Sequence, residues 1–195
     1  MTLTVGIYAF DGMELLDHAG PFQVFSTASR LAGEDGDSEI FSVVTLAASM
    51  DPVTARGGAR ILPDATNHDA PALDCLIIPG GHVGVDAQIS GTDVVDWVRS
   101  QAEQVRILAS VCTGAFILAA AGLLDGKKAT THAHYTDELR RRHPQVTVLE
   151  NRRWVDEGSI ITSAGMTAGI DMSLHLVERL ANRDLSVATA RQMEL

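Results

Sequence analysis

A cysteine near the middle of the sequence stands in a setting that is typical of an enzyme nucleophile. Residues 107–115 read ILASVCTGA, a short apolar strand that turns tightly at Cys112 and continues as a helix. This is the pattern of a nucleophile elbow, in which small flanking residues let strand and helix approach closely. Gly114 follows the cysteine by two residues, as the pattern requires, whereas Ser110 replaces the glycine two residues before it. The pattern predicts a positive φ angle at Cys112.

The same position favours a reactive thiol. A helix N-terminus has a positive dipole end and free N–H groups, which lower the pKa of a cysteine placed there. The N–H of Thr113 would point to where an oxyanion forms. The alternative is that Cys112 is a small buried apolar residue, but the elbow favours the nucleophile. Cys75 lies inside the apolar run 74–78 and is predicted to belong to the core.

A Pro-Gly-Gly turn at residues 79–81 could complete such a site, because it follows a buried strand. Gly80 and Gly81 have no side chains to cover their N–H groups, so the turn could supply a second oxyanion donor. The alternative is an ordinary turn that ends a strand. Its place beside an elbow favours the functional interpretation.

Asp17 is a carboxylate among apolar residues, with Leu15 and Leu16 before it. It could cap a helix N-terminus. It could instead face the thiol, where burial would raise its pKa and let it donate and later shuttle a proton. Spacing alone leaves both interpretations open.

The histidines predict neither a metal site nor a catalytic triad. No pair among the seven has metal-ligand spacing together with a third ligand, and none follows Cys112 directly. His132 is a candidate for the wall of the site. We expect no metal and no cofactor.

The elements that must position these residues alternate between short apolar runs and helical periodicity. The runs predict strands at 2–9, 40–47, 73–79, 106–111, 130–131, 146–149 and 152–162, the last with a turn at 156–158, and a hairpin at 53–62. Helical spacing predicts helices at 17–32, 92–104, 113–124, 134–142, 167–180 and 185–193, and 33–38 is predicted to be a loop. The alternation predicts an α/β fold with a mainly parallel sheet. Sites of such folds lie at the carboxyl ends of the strands.

Composition bounds the function classes. The chain has 195 residues, 46% of them hydrophobic, which suits a single domain spanning 1–195 with a large core. A net charge of −10 argues against nucleic acid and anionic membranes as partners. The longest apolar run, 115–124, is too short to span a bilayer, and the basic start of a secretory signal is missing. Two cysteines without a disulfide framework indicate the reducing cytoplasm.

Four segments together resemble the ThiJ/PfpI superfamily of class I glutamine amidotransferase-like proteins. They read LDHAGP at 16–21, LIIPGG at 76–81, SVCTGA at 110–115 and TSAGMTAGID at 162–171. The block AAGLLDG at 120–126, followed by ATTH at 129–132, is similar to the branch that holds isonitrile hydratase and the ligand domains of AraC-type regulators.

The resemblance implies a flavodoxin-like sandwich, usually dimeric. It also implies that Cys112 is the nucleophile, Asp17 its acidic partner, Thr113 the residue after the nucleophile and Gly81 an oxyanion donor. Protease-like and deglycase-like relatives carry a histidine beside the cysteine or elsewhere in the site, whereas this sequence has Thr113 beside it, which argues against a peptidase or glutaminase activity.

Three functions follow as expectations. The first is isonitrile hydration of a small-molecule substrate by Cys112, with Asp17 as acid and base. The second is a sensor domain that binds a metabolite, or is oxidised at Cys112, without turnover. The third is hydrolase, deglycase or glyoxalase-like action on another electrophile. Because the sequence ends at Leu195 without a helix-turn-helix segment, DNA binding is not expected.

Overall fold

The computed structural model describes residues 2–34 and 39–195. Within these ranges the strands are β1 (Leu3–Tyr8), β2 (Phe41–Ala47), β3 (Val53–Thr54), β4 (Arg60–Ile61), β5 (Ala65–Thr66), β6 (Cys75–Ile78), β7 (Ile107–Ser110), β8 (Lys128–Ala129), β9 (Thr147–Val148), β10 (Trp154–Asp156) and β11 (Ile160–Ser163). The helices are α1 (Leu15–Glu34), α2 (His82–Ser90), α3 (Thr92–Ala102), α4 (Ala115–Ala120), α5 (Thr136–Arg142), α6 (Ala168–Leu180) and α7 (Arg183–Gln192). Single turns of 3-10 helix lie at Cys112–Gly114 and Ala133–Tyr135.

A mainly parallel sheet forms the centre of the fold. In the described part of the chain, seven strands lie in the order β10-β11-β7-β6-β1-β2-β5, and every neighbouring pair is parallel except β10 and β11. The principal strands β2-β1-β6-β7-β11 follow the flavodoxin-like order, whose direction of winding changes between β1 and β6. This confirms the predicted α/β sandwich and places the loops after β1 and β6 at the switch point.

Helices cover both faces of the sheet, so its central strands are mostly apolar. On one face α1, α6 and α7 pack together, and on the other α2, α3 and α4 do. In β6, Cys75 and Ile77 pack on the α1 side and Leu76 and Ile78 on the other. Cys75 is fully buried, which confirms its predicted place in the core, and burial raises its pKa to about 12.

Residues 130–131, predicted as a strand, have another role. The short strand β8 lies just before them, at Lys128–Ala129. The N–H of Thr130 donates to Thr162 Oγ1 (2.9 Å), and Thr131 Oγ1 donates to the carbonyl of Cys112 (2.8 Å). These bonds tie the segment to β11 and to the elbow instead of extending a ladder.

Helix α2 is absent from the sequence-based prediction. Its N-cap is Gly81, which has no side chain to signal a helix start, and Gly84 inside it weakens the helical pattern. The predicted helix at 113–124 opens as a 3-10 turn and ends earlier, because Gly122 (φ 75°) follows it in the left-handed region. Of the predicted loop 33–38, Gly33 belongs to α1, and residues 35–38 lie outside the described residues. In the described ranges, no helix is both long and apolar enough to cross a membrane.

Candidate active site

The predicted elbow is present at the carboxyl end of β7. Cys112 has a φ of 57°, which confirms the predicted left-handed backbone. The surrounding glycines allow a very close approach of chain segments. A Cβ on Gly80 would lie 2.6 Å from the Thr113 nitrogen, and one on Gly114 would lie 2.3 Å from the Ile78 carbonyl oxygen. Both positions therefore require glycine for the elbow to pack against the end of β6.

Asp17 lies beside the thiol, in the first turn of α1. Its carboxyl group is fully buried and is hydrogen-bonded to Cys112. Oδ2 accepts the N–H of Gly80 (3.1 Å), and Oδ1 accepts the N–H of Met166 (3.1 Å). Met166 has a φ of 57°, a strained conformation for a residue with a side chain, and this turns its N–H toward Asp17. The structure therefore favours the interpretation that Asp17 faces the thiol over the interpretation that it caps a helix.

Burial raises the pKa of both members of this pair. Desolvation raises the pKa of Asp17 to about 6, although the hydrogen bonds from Gly80 and Met166 oppose the rise. Desolvation and the Asp17 charge raise the pKa of the Cys112 thiol well above its usual range, although the hydrogen bonds from the N–H and the hydroxyl of Thr113 oppose the rise. The expected low thiol pKa is therefore wrong for the resting site, because burial outweighs the helix N-terminus. Near neutral pH one proton remains on the pair.

The Pro-Gly-Gly turn, predicted to supply the second oxyanion donor, has N–H groups that already have partners. The N–H of Gly80 donates to Asp17, and the N–H of Gly81 donates to Thr113 Oγ1 (2.9 Å). Since Thr113 Oγ1 accepts from Gly81, its own O–H is free to donate to the Cys112 sulfur, with which it is hydrogen-bonded. The Pro-Gly-Gly turn thus positions the acid and the threonine rather than presenting open donors.

His132 lies next to Cys112. A Cβ built on Gly165 would be 2.4 Å from His132 Cδ2 and 3.2 Å from the Cys112 sulfur, so ring and sulfur border the same point. Nδ1 accepts the N–H of His134 (3.2 Å), which leaves the ring proton on Nε2. Burial lowers the His132 pKa, so the ring is a neutral donor.

A cavity of about 290 Å³ opens above the sulfur. Its lining contains Gly81, Cys112, Thr113, His132 and Met166, and also Glu14, Arg56, His82, His134 and Tyr135. None of this second group was among the predicted site residues. Only Glu14 had a usable signal, since it precedes Asp17 by three residues at the start of a helix. In the described part of the chain, no group of three or more His, Cys, Asp or Glu side chains could hold a metal ion.

Comparison with known proteins assigns the chain to a family. The model of the DJ-1/PfpI family matches residues 4–179. The chain belongs to the DJ-1/PfpI family. It is 36% identical to isonitrile hydratase of Pseudomonas putida over 195 residues, which are all of this chain and 79% of that protein.

Two further relatives differ in their architecture. The transcriptional regulator GbdR of Pseudomonas aeruginosa is 35% identical over 185 residues, which cover 95% of this chain and 48% of the regulator. The chain thus spans about half the length of that protein. The crystal structure of a ThiJ/PfpI family protein from Pseudomonas syringae superposes with a TM-score of 0.87 at 30% identity, covering 100% of this chain and 75% of that one.

Proposed function

We propose that this DJ-1/PfpI protein hydrates isonitriles, converting R–N≡C and water into an N-substituted formamide. The observation that carries the proposal is the buried, hydrogen-bonded pair of Cys112 and Asp17, which holds one proton near neutral pH. The similarity to the isonitrile hydratase of Pseudomonas putida supports it.

In the first step, the Cys112 sulfur attacks the terminal isonitrile carbon. The thiol proton passes through Asp17 to that carbon, which gives the thioimidate Cys–S–CH=N–R and leaves Asp17 as a carboxylate. The O–H of Thr113 stabilises negative charge on the sulfur as the proton leaves.

In the second step, Asp17 takes a proton from water as the water oxygen bonds to the thioimidate carbon. That proton goes to the nitrogen and gives a tetrahedral adduct. The carbon–sulfur bond then breaks, the hydroxyl proton returns through Asp17 to the sulfur, and the formamide leaves. The pair regains its single proton, and His132 is assigned to substrate binding on the cavity wall.

The engaged N–H groups of Gly80 and Gly81 favour this reaction over acyl transfer. An acyl-transfer hydrolase needs free donors where a carbonyl oxygen becomes negative. An isonitrile carbon bears no oxygen, so the first step makes no such demand. Hydrolase or deglycase-like action is therefore the less supported activity.

The test measures whether the purified protein converts a panel of isonitriles. The formamide products are detected by their NMR signals. We expect Cys112→Ala to abolish conversion. The matched control is Cys75→Ala, the same change at the core cysteine, and it should retain the rate. Equal rates for the wild type and Cys112→Ala would remove the proposal.

A sensor domain is the second candidate. The raised pKa of Cys112, which keeps the thiol protonated, and the similarity to the regulator GbdR favour it. With the panel extended to amides and dicarbonyls, a sensor would convert none of the compounds, yet one of them would stabilise it against heating.

The remaining assignments extend the proposal. We assign a cytoplasmic location, because both cysteines are free and the reaction needs a reduced Cys112. The charge of −10 argues against nucleic acid as a partner. A homodimer is the proposed assembly.

A further inference from the structure

We propose that the cleft selects isonitriles whose substituent ends in a carboxylate, and that Arg56 binds this group. This inference rests on the proposed function and adds the class of substrate. Its evidence comes from a second cavity and from the position of Arg56.

A second cavity adjoins the one above Cys112. It measures about 350 Å³ and is lined by Gly12, Arg56, His82, Val83 and Tyr135. Arg56, His82 and Tyr135 also line the inner cavity, so the two chambers meet at these side chains. The cleft therefore has room for a substituent that extends outward from the reacting carbon.

Arg56 is held at this junction by the backbone. It lies between β3 and β4, and its N–H donates to the carbonyl of Met13 (2.8 Å). The N–H of Gly12 donates to the carbonyl of Thr54 (2.9 Å), which ties the same hairpin to the loop before α1. The hairpin thus keeps Arg56 in a fixed relation to the helix that carries Asp17.

The guanidinium of Arg56 is available to a ligand. In the described part of the chain its one ionic contact is with Glu14, at 3.6 Å, and its side chain is 71% exposed. That distance is longer than a charge-assisted hydrogen bond, and an exposed ion pair of this kind contributes little to stability. A guanidinium has five N–H donors in a planar fork that matches a carboxylate. A substrate carboxylate can therefore bind Arg56 at little cost.

The distribution of charge sets the direction of binding. Of the described residues that line the outer chamber, only Arg56 carries a permanent charge. The inner chamber holds Glu14, and Asp17 lies behind the sulfur. Carboxylates there repel an anion, so the charged end of the substrate remains outside and the neutral isonitrile end faces Cys112.

The first experiment compares 4-isocyanobutanoate with its methyl ester. We expect the wild type to prefer the carboxylate by roughly tenfold in kcat/KM, as a charge-assisted contact predicts. Arg56→Gln should lose this preference, chiefly through a higher KM for the carboxylate. Arg60→Gln is the matched control, because it removes the same charge from the exposed strand β4 of the same hairpin. Equal preferences in the two variants, or none in the wild type, would overturn the inference.

A second measurement does not depend on hydration. The rate at which Cys112 is alkylated by 6-maleimidohexanoate, relative to its methyl ester, is followed by peptide mass spectrometry. A preference for the carboxylate that Arg56→Gln removes supports the inference even if no isonitrile is hydrated, in which case the proposed function alone fails. Hydration without either preference leaves the proposed function standing and removes the inference. Thermal denaturation verifies that Arg56→Gln is folded, and Arg56→Lys, which keeps the charge without the fork, should retain part of the preference.

Discussion

At the scale of single residues, the buried pair of Asp17 and Cys112 decides the chemistry. A helix N-terminus lowers the pKa of an exposed cysteine, but desolvation and a neighbouring carboxylate raise it here. In the proposed reaction the two groups act as one acid, because Asp17 receives the proton that leaves the sulfur. The Thr113 hydroxyl, which accepts from Gly81, donates its own proton toward the same sulfur.

The pKa of Asp17 predicts a pH dependence. Because burial raises it to about 6, the pair carries two protons below that pH and loses one as pH rises through it. Only the singly protonated pair can form the nucleophile, so kcat/KM for isonitrile hydration should rise about tenfold per pH unit below 6 and level off above it. Asp17→Asn should lose roughly a hundredfold or more and show no such step. A profile that is flat from pH 5 to 7 would contradict the assignment.

At the scale of elements, the site depends on how closely β6, the elbow and α1 approach one another. Gly80 follows β6 by two residues and lies against the elbow backbone, while its N–H donates to the Asp17 carboxylate of α1. Three elements far apart in sequence thus meet around one glycine.

Gly80→Ala tests this packing. Its Cβ would lie 2.6 Å from the Thr113 nitrogen and 2.7 Å from Cys112 Cβ, where the backbone cannot easily yield. We expect a loss of about 2 kcal/mol in the free energy of unfolding, measured with urea. Gly33→Ala is the control, since no atom lies within 4 Å of its Cβ position and alanine suits a helix. A loss no larger than that of the control would show that the elbow tolerates a side chain there.

At the scale of the whole molecule, the exposed apolar side chains of α1 are the candidate contact for the proposed homodimer. Leu15 and Phe22 are 36% and 37% exposed and stand seven residues apart, on one face of the helix. The net charge of −10 makes random association of copies unfavourable, so a dimer needs such a specific apolar contact.

Phe22→Asp should therefore reduce the mass in light scattering from twice 20.8 kDa to 20.8 kDa. The circular dichroism spectrum should remain unchanged, because the side chain lies at the surface. Val187→Asp, which places the same charge on an apolar residue of α7 that is 43% exposed, should leave the mass as it is. Identical masses for the two variants would place the interface elsewhere.

Short-range patterns in the sequence determined the main elements and the place of the elbow that carries Cys112. The apolar runs that became β1, β6 and β7 were predictable, because a strand covered on both faces needs apolar residues throughout. So was the left-handed backbone of Cys112, since a tight turn between strand and helix requires it. Helix α2 was not predicted, because its N-cap, Gly81, has no side chain that would indicate the start of a helix.

Only the tertiary structure decided which groups Cys112 contacts. Asp17 and Cys112 come together because β1 and β7 end at the same edge of the sheet, and spacing along the chain contains no measure of that distance. Desolvation, which raises both pKa values, depends on all the segments that close over the pair. Arg56 lies at the cleft because backbone hydrogen bonds hold its hairpin against the loop before α1. Patterns of side chains in the sequence do not predict such backbone bonds.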